Sequence, residues 1–365
     1  MQKNIARILF VLFTGGCCLL HGQSQQVDKD TIKNLRLNVL PVVFYTPETG
    51  LGYGALGLST FRLKGEKTTT RPSSVQLGIT FTSKKQFLMF MPYEFYLDEE
   101  RWRFKGELGY YKYFYNYYGL GMDSIEEDKE LYTADFPRFR LAAYRELFQG
   151  FSVGLGYEFD GYNVLEPEPN GLLDATADII GKDGGTISNI GLLALYDTRD
   201  NIFHPTKGWY IEGVFYNSAP WLGSDFTYRK FELDTRYYQR IKGDIILASN
   251  LFFGTRSNGT PFQDLNYLGT KRTRGFDNRR YLDKNEISLA TELRFPIYRR
   301  FKGAVFGATG TVIPSLSQAI NTSYKSAFGG GFRYIVNKKE GTRLRVDYGI
   351  SSEGGQFYFT INEAF

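Results

Sequence analysis

Between Leu37 and Phe365 the chain repeats in twos. Trp102, Phe104, Gly106, Leu108 and Tyr110 interleave with Arg101, Arg103, Lys105 and Glu107; Phe231, Leu233, Thr235 and Tyr237 interleave with Lys230, Glu232, Asp234 and Arg236. Further on, Ile287, Leu289, Thr291, Leu293 and Phe295 interleave with Ser288, Ala290, Glu292 and Arg294, and Leu344, Val346 and Tyr348 with Arg343, Arg345 and Asp347. Successive side chains of a strand point to opposite faces, so each segment reads as a strand with one apolar and one charged face. Single segments outrun the ~5 to 6 residues usual for a soluble strand and approach the ~9 to 11 that cross a bilayer at a tilt. A secreted β-sandwich would also favour Tyr and Gly, but its outward face should be polar. The alternation instead gives the charges to a wet interior and the aromatics to lipid. The last segment, Gln356 to Phe365, alternates to its final phenylalanine. Such a strand must close a sheet against something, most simply the first strand of a barrel.

Beyond residue 26 no apolar run approaches the ~18 to 20 residues of a membrane helix, and the mean hydropathy is negative. Aromatics nevertheless reach 17%, with 27 Tyr and 31 Phe, enough to supply the two interfacial girdles of a barrel. Lys3 and Arg7 precede the apolar stretch Ile8 to Phe13, and a polar run follows Gly22. This is the plan of a secretory signal peptide, residues 1–22, followed by a short periplasmic segment, 23–36, and the barrel, 37–365. Cys17 and Cys18 both lie in the signal, leaving a mature chain without thiols, as suits the bacterial periplasm. A lipoprotein reading would put lipid on Cys17, but Thr14-Gly15-Gly16 lacks the usual branched residue three places before it.

About sixteen segments are countable, centred near residues 42, 57, 78, 91, 107, 141, 156, 191, 213, 232, 249, 290, 307, 330, 346 and 360. The expected fold is all-β, a 16-stranded antiparallel transmembrane β-barrel. An even count returns the chain to its starting side, and with a periplasmic start the longest connections, about 116–134, 162–186 and 255–284, all fall outside the cell.

Two motifs narrow the choice of barrel. Leu268-Gly269-Thr270-Lys271-Arg272-Thr273-Arg274-Gly275-Phe276 stands between the eleventh and twelfth segments, followed by Arg279-Arg280-Tyr281 and then Glu292-Leu293-Arg294-Phe295-Pro296-Ile297. Earlier come Tyr196-Asp197-Thr198-Arg199-Asp200-Asn201 and His204 to Tyr210. With Pro47 to Tyr53-Gly54 and Tyr118-Gly119-Leu120-Gly121, they give a chain that resembles the BamA/TamA surface-antigen superfamily over nearly its mature length.

The resemblance implies that the sixth outer loop folds back into the lumen, where Arg274 grips the wall. Gly275 permits a tight backbone, Phe276 can pack on the inner wall, and Arg274 offers a fork of donors to a carboxylate. Alternation makes Glu292 and Asp347 the candidate acceptors, with Glu292 expected first; the alternative is that Arg274 is one more solvated charge. Relatives often carry an acid in the thirteenth strand, where this chain has Phe306-Gly307-Ala308-Thr309-Gly310. No room is left after residue 22 for periplasmic POTRA docking domains, which resembles a barrel-only branch. The seam between first and last strands involves Pro41, Pro47, Gly354, Gly355 and Phe365. Proline cannot donate to a ladder and paired glycines lower order, so the seam is expected to be short and openable; the alternative is a fully bonded one. Phe365 also resembles the terminal signal of outer-membrane proteins, with Glu363 breaking its parity.

Catalysis is not expected: His204 is the one histidine of the mature chain, and no serine motif, metal-binding pair or phosphate loop accompanies it. No cofactor is expected. The net charge of +5 includes the basic signal and does not indicate nucleic acid. Expected partners are outer-membrane lipid, lipopolysaccharide facing basic outer loops, and periplasmic or outer-membrane protein subunits. Two functions remain open: assisting insertion or translocation of proteins at the bacterial outer membrane, or serving as a passive pore or structural surface antigen.

Overall fold

The computed structural model describes residues 32–46, 50–165, 169, 171–176, 178–337 and 342–365. The expected signal peptide with its two cysteines, and Pro47, lie outside them. Eleven strands come first: β1 (Ile32–Thr46), β2 (Gly50–Leu63), β3 (Ser73–Thr82), β4 (Phe87–Leu97), β5 (Trp102–Tyr117), β6 (Glu130–Phe148), β7 (Phe151–Leu165), β8 (Gly185–Asp197), β9 (Gly208–Ser218), β10 (Tyr228–Lys242) and β11 (Ile245–Arg256). Two short strands, β12 (Asn266–Tyr267) and β13 (Leu282–Asp283), pair with each other inside the next connection. The wall resumes with β14 (Asn285–Tyr298), β15 (Phe301–Ile313), β16 (Lys325–Asn337), β17 (Thr342–Ser351) and β18 (Gly354–Ile361).

All but β12 and β13 form one 16-stranded antiparallel sheet in which every strand pairs with its neighbour along the wall. Each of the sixteen expected segments coincides with one of these strands. The first strand starts at Ile32, inside the segment expected to precede the barrel.

Parity sorts the side chains. Leu251, Leu289, Val305, Phe332, Val346 and Phe359 stand exposed on one face, where lipid covers them, while Asn250, Glu292, Arg294, Arg333 and Asp347 are buried on the other. Registers such as Asn250 opposite Ala290 and Ala290 opposite Ala308 keep the inner positions of adjacent strands together. Tight turns such as Gly243-Asp244 join strands at one end, and the long connections 118–129 and 257–284, with the described part of the one after β7, lie at the other.

The long loops interlock above the lumen. Gly121 N–H donates to the Leu282 carbonyl at 2.8 Å, and Phe262 N–H donates to that of Ile180 at 2.9 Å. Phe262, Leu265 and Leu282 pack against Tyr117, Tyr132 and Leu173 in one cluster. Several arginines of the 257–284 connection are engaged within the protein. Arg279 donates to the Phe262 carbonyl at 2.7 Å, Arg280 pairs with Glu126 at 3.0 Å, and Arg272 lies 3.7 Å over the Phe252 ring.

At the seam, no ladder joins β1 to β18 among the described residues, and the sheet is open there. Pro41 lies inside β1, opposite Ala55 of β2, with its side chain exposed; an edge strand is where the sheet can accommodate its missing donor. Gly354 turns the chain with a φ of +121°, and Gly355 leaves space for the Tyr348 hydroxyl, which a Cβ would meet at 2.0 Å. Both are paired to β17.

Phe365 corrects an expectation. The last strand ends at Ile361, Asn362 takes a left-handed φ of +64°, and residues 363–365 leave the wall for the lumen. The outward alternation of Phe357 and Phe359 continues only while the chain is a strand. Glu363 breaks that parity because its carboxylate has charged partners inside.

Candidate functional site

The inner face of β14, β16 and β17 carries an ion network. Glu292 and Asp347 are completely buried and Arg274 is 1% exposed. Unpaired, charges buried so deeply would cost several kcal/mol each, so partners are obligatory. Arg274, reaching in from the 257–284 connection, donates through Nη2 to Glu292 at 2.6 Å and through Nη1 to Asp347. It therefore bridges both carboxylates and does not choose Glu292 first. Its guanidinium lies 3.8 Å over the Phe306 ring. β15 thus supplies an aromatic face, while β14 and β17 bring the acids.

Gly275 makes the approach possible. Its φ is +109°, and a Cβ there would come within 2.8 Å of the Ala327 Cβ and 3.1 Å of the Ile350 nitrogen. The facing wall residue is Gly349, whose own added Cβ would lie 2.8 Å from the Gly275 nitrogen. Two glycines thus let loop backbone lie on strand backbone. Gly275 N–H donates to the Tyr358 hydroxyl at 2.9 Å, fastening the loop to β18. Phe276 is fully buried with Met122, Leu268, Tyr281, Val312 and Ala327.

Four further arginines complete the network, all unnamed by sequence reasoning as partners of the loop. Arg333 donates to Asp347 at 2.6 Å, to Glu292 at 3.0 Å and to Glu363 at 3.1 Å. Arg345 lies 3.5 Å from Asp347 and donates to Thr360 at 2.9 Å. Arg294 donates to Glu292 at 2.7 Å, and Arg343 to Glu363 at 2.9 Å. Parity is the signal that could have found Arg333, which lies buried between the exposed Phe332 and Tyr334. No pattern of period two could say which acids it would meet across the lumen.

The earlier motif builds a second anchor. Asp197 accepts from Arg199 Nε and Nη2, both at 2.8 Å, from Arg71 at 2.8 Å and from Arg103 at 3.2 Å. It ties together β8, β5 and the β2–β3 connection. Asp200 caps the following turn by accepting from the Thr206 backbone at 2.8 Å. Burial pushes the Asp200 carboxyl up, but the Thr206 and backbone hydrogen bonds outweigh it and hold the group below its ordinary value. His204 sits half-buried in the same turn. Burial, and then the facing Arg343 guanidinium, bring it down to about 4. Among the described residues no His, Cys, Asp or Glu cluster could hold a metal ion.

An antiparallel sheet of sixteen strands with an apolar outer belt, and a loop arginine clamped to inner-wall acids, defines a class of outer-membrane barrel. A model of the Omp85 superfamily domain matches residues 63–365, and the chain belongs to that superfamily of bacterial outer-membrane proteins. The fold is similar to that of BamA from Haemophilus ducreyi lacking POTRA domains 1–3, at 15% identity and a TM-score of 0.58, covering 90% of this chain and 70% of that one. It is also similar to CdiB from Acinetobacter baumannii, at 12% identity and a TM-score of 0.52, covering 92% of this chain and 66% of that one. No curated protein matches the sequence.

Proposed function

We propose that this barrel assists the insertion or translocation of proteins at the outer membrane, and that client strands engage the edges of β1 and β18. The observation that carries this reading is the unpaired seam: among the described residues β1 ladders only with β2 and β18 only with β17, so both are edge strands of the sheet. An open edge is a template for another strand. The clamped loop supports the same reading, because a barrel serving as a plain pore has little use for an arginine-locked plug.

Disulfides tied across the seam, with Val39→Cys and Phe359→Cys among the scanned pairs, provide the test. The readout is the amount of folded outer-membrane protein that reaches the membrane in cells dependent on this chain. Oxidation should reduce it and reduction restore it; full activity with the seam locked refutes the gate. In planar bilayers the loop-plugged barrel should give small, unstable currents, whereas large steady currents would favour a passive pore.

A further inference from the structure

Residues 363–365 lie against inner-wall side chains that form two halves. One half is cationic. Glu363, 2% exposed at its side chain, accepts from Arg343 at 2.9 Å and Arg333 at 3.1 Å, with Arg294 at 3.6 Å. The other half is apolar. Phe365 and Ala364 are buried against Tyr238, Ala248, Ala290 and Ala308. Those three alanines lie on β11, β14 and β15, three neighbouring strands whose buried inner positions nearby include the larger Asn250, Phe252, Glu292, Arg294 and Phe306. Small residues on adjacent strands hollow the wall by about the depth of a ring. Arg294 spans both halves, donating to the Phe365 carbonyl at 3.0 Å with its guanidinium 6.0 Å from the ring centroid.

We infer that this surface is a peptide-binding site for an acidic residue followed two places later by an aromatic one, and that residues 363–365 fill it in cis as a displaceable latch. The inference goes beyond the proposed function and does not need it. Three features make the seated segment a ligand and not a continuation of the wall. The chain leaves the β17 ladder after Ile361. Asn362 turns with a left-handed φ, its N–H bonded to the Arg343 carbonyl at 2.8 Å. Among the described residues, the anchoring contacts beyond that turn are those of the Glu363, Ala364 and Phe365 side chains and of the Phe365 carbonyl. Seating takes these residues off the inner end of β18. Through Arg333, which also holds Glu292 and Asp347, the latch shares an anchor with the loop arginine.

The test uses the full chain with Cys17 and Cys18 replaced by Ala and Ala364→Cys as the reporter thiol, its fold verified by heat-modifiable gel mobility. Maleimide labelling of this thiol should be at least about 10-fold slower than that of Ser317→Cys on an exposed loop, because labelling requires local opening. Adding Glu363→Gln should raise the rate by roughly 10-fold, the size of effect expected from losing a charged hydrogen bond. A synthetic Asn-Glu-Ala-Phe peptide should raise it saturably, and Asn-Gln-Ala-Ala should not. Labelling at the exposed rate in the unaltered segment would overturn the inference. So would a protected thiol indifferent to both Glu363→Gln and the peptide, since that describes a fixed plug, or equal responses to the two peptides, since that describes no selective site.

Discussion

Asp347→Asn and Arg345→Gln alter neighbouring buried charges of opposite sign, and they should differ sharply in cost. Around the loop clamp, among the described residues, ion pairs join five guanidiniums, Arg274, Arg294, Arg333, Arg343 and Arg345, to three side-chain carboxylates, Glu292, Asp347 and Glu363. The network is therefore short of negative charge. Asp347 serves three of the arginines, and changing it to the isosteric amide removes a counter-charge while leaving the guanidiniums buried. Breaking a buried pair in this way typically costs about 3 to 5 kcal/mol. Among the described residues Arg345 makes one ion pair, with Asp347 at 3.5 Å, and one hydrogen bond, to Thr360, and its buried Nη1 has no hydrogen-bond acceptor. Losing it removes repulsion from Arg274 and Arg333 as well as attraction, so the net cost should be about 1 kcal/mol or less, of either sign. The two variants should then differ by roughly 3 kcal/mol, about two decades in the unfolding constant. Urea titration in lipid vesicles, followed by tryptophan fluorescence and by mobility on unheated gels, measures the difference. If Arg345→Gln proves as costly as Asp347→Asn, the charge shortage is not a property of the folded barrel and the reasoning fails.

Gly275→Ala should detach the loop tip, because a φ of +109° and a 2.8 Å approach to Ala327 together cost about 1 to 3 kcal/mol. Trypsin cutting after Lys271 or Arg272 should become fast in the variant and remain slow in the unaltered protein; equal protection of the two would contradict the close-packed tip. His204 supplies a pH dependence. Its folded value of about 4 lies below the ordinary 6.5, so the unfolded chain takes up the proton first as pH falls. The stability it contributes is complete above pH 6.5 and is lost between 6.5 and 4, at up to about 1.4 kcal/mol per pH unit. His204→Gln should flatten that part of the urea-midpoint profile, and an unchanged slope would show that the turn does not sense the proton.

Alternation made the wall legible because side-chain period in a strand is fixed at two, whatever the strand packs against. All sixteen segments and the inner or outer address of residues such as Glu292 and Phe332 follow from it. Contacts across the lumen do not, since they depend on strand tilt and stagger, which no local pattern encodes. Hence Glu292 and Asp347 could be named as acceptors without revealing that one arginine would bridge them, or that Arg333 would meet both and Glu363 as well. The terminal segment misled for a related reason. Phe357, Phe359 and Phe365 share a parity, but the period carries meaning only while the backbone stays extended. Asn362 ends that condition, and Glu363, an apparent fault in the pattern, was the one local sign that the strand had stopped.

The aromatic content has a second physical role beyond the lipid interface. Tyr96, Tyr118, Tyr144, Tyr238 and Tyr281 are among the most deeply buried side chains of the described residues. Tyr144 and Tyr210 both donate to Glu212, the latter at 2.6 Å, while Arg199 and Arg236 lie 4.3 and 4.7 Å over the Tyr210 ring. A tyrosine inside a charged lumen thus meets carboxylate at its hydroxyl and guanidinium at its face, filling space that a wide pore would leave to water. Phe306 under Arg274 applies the same chemistry at the loop clamp. The inner face is in this sense a packed interior built from ions and rings, which is why a single inserted arginine can be held there so firmly.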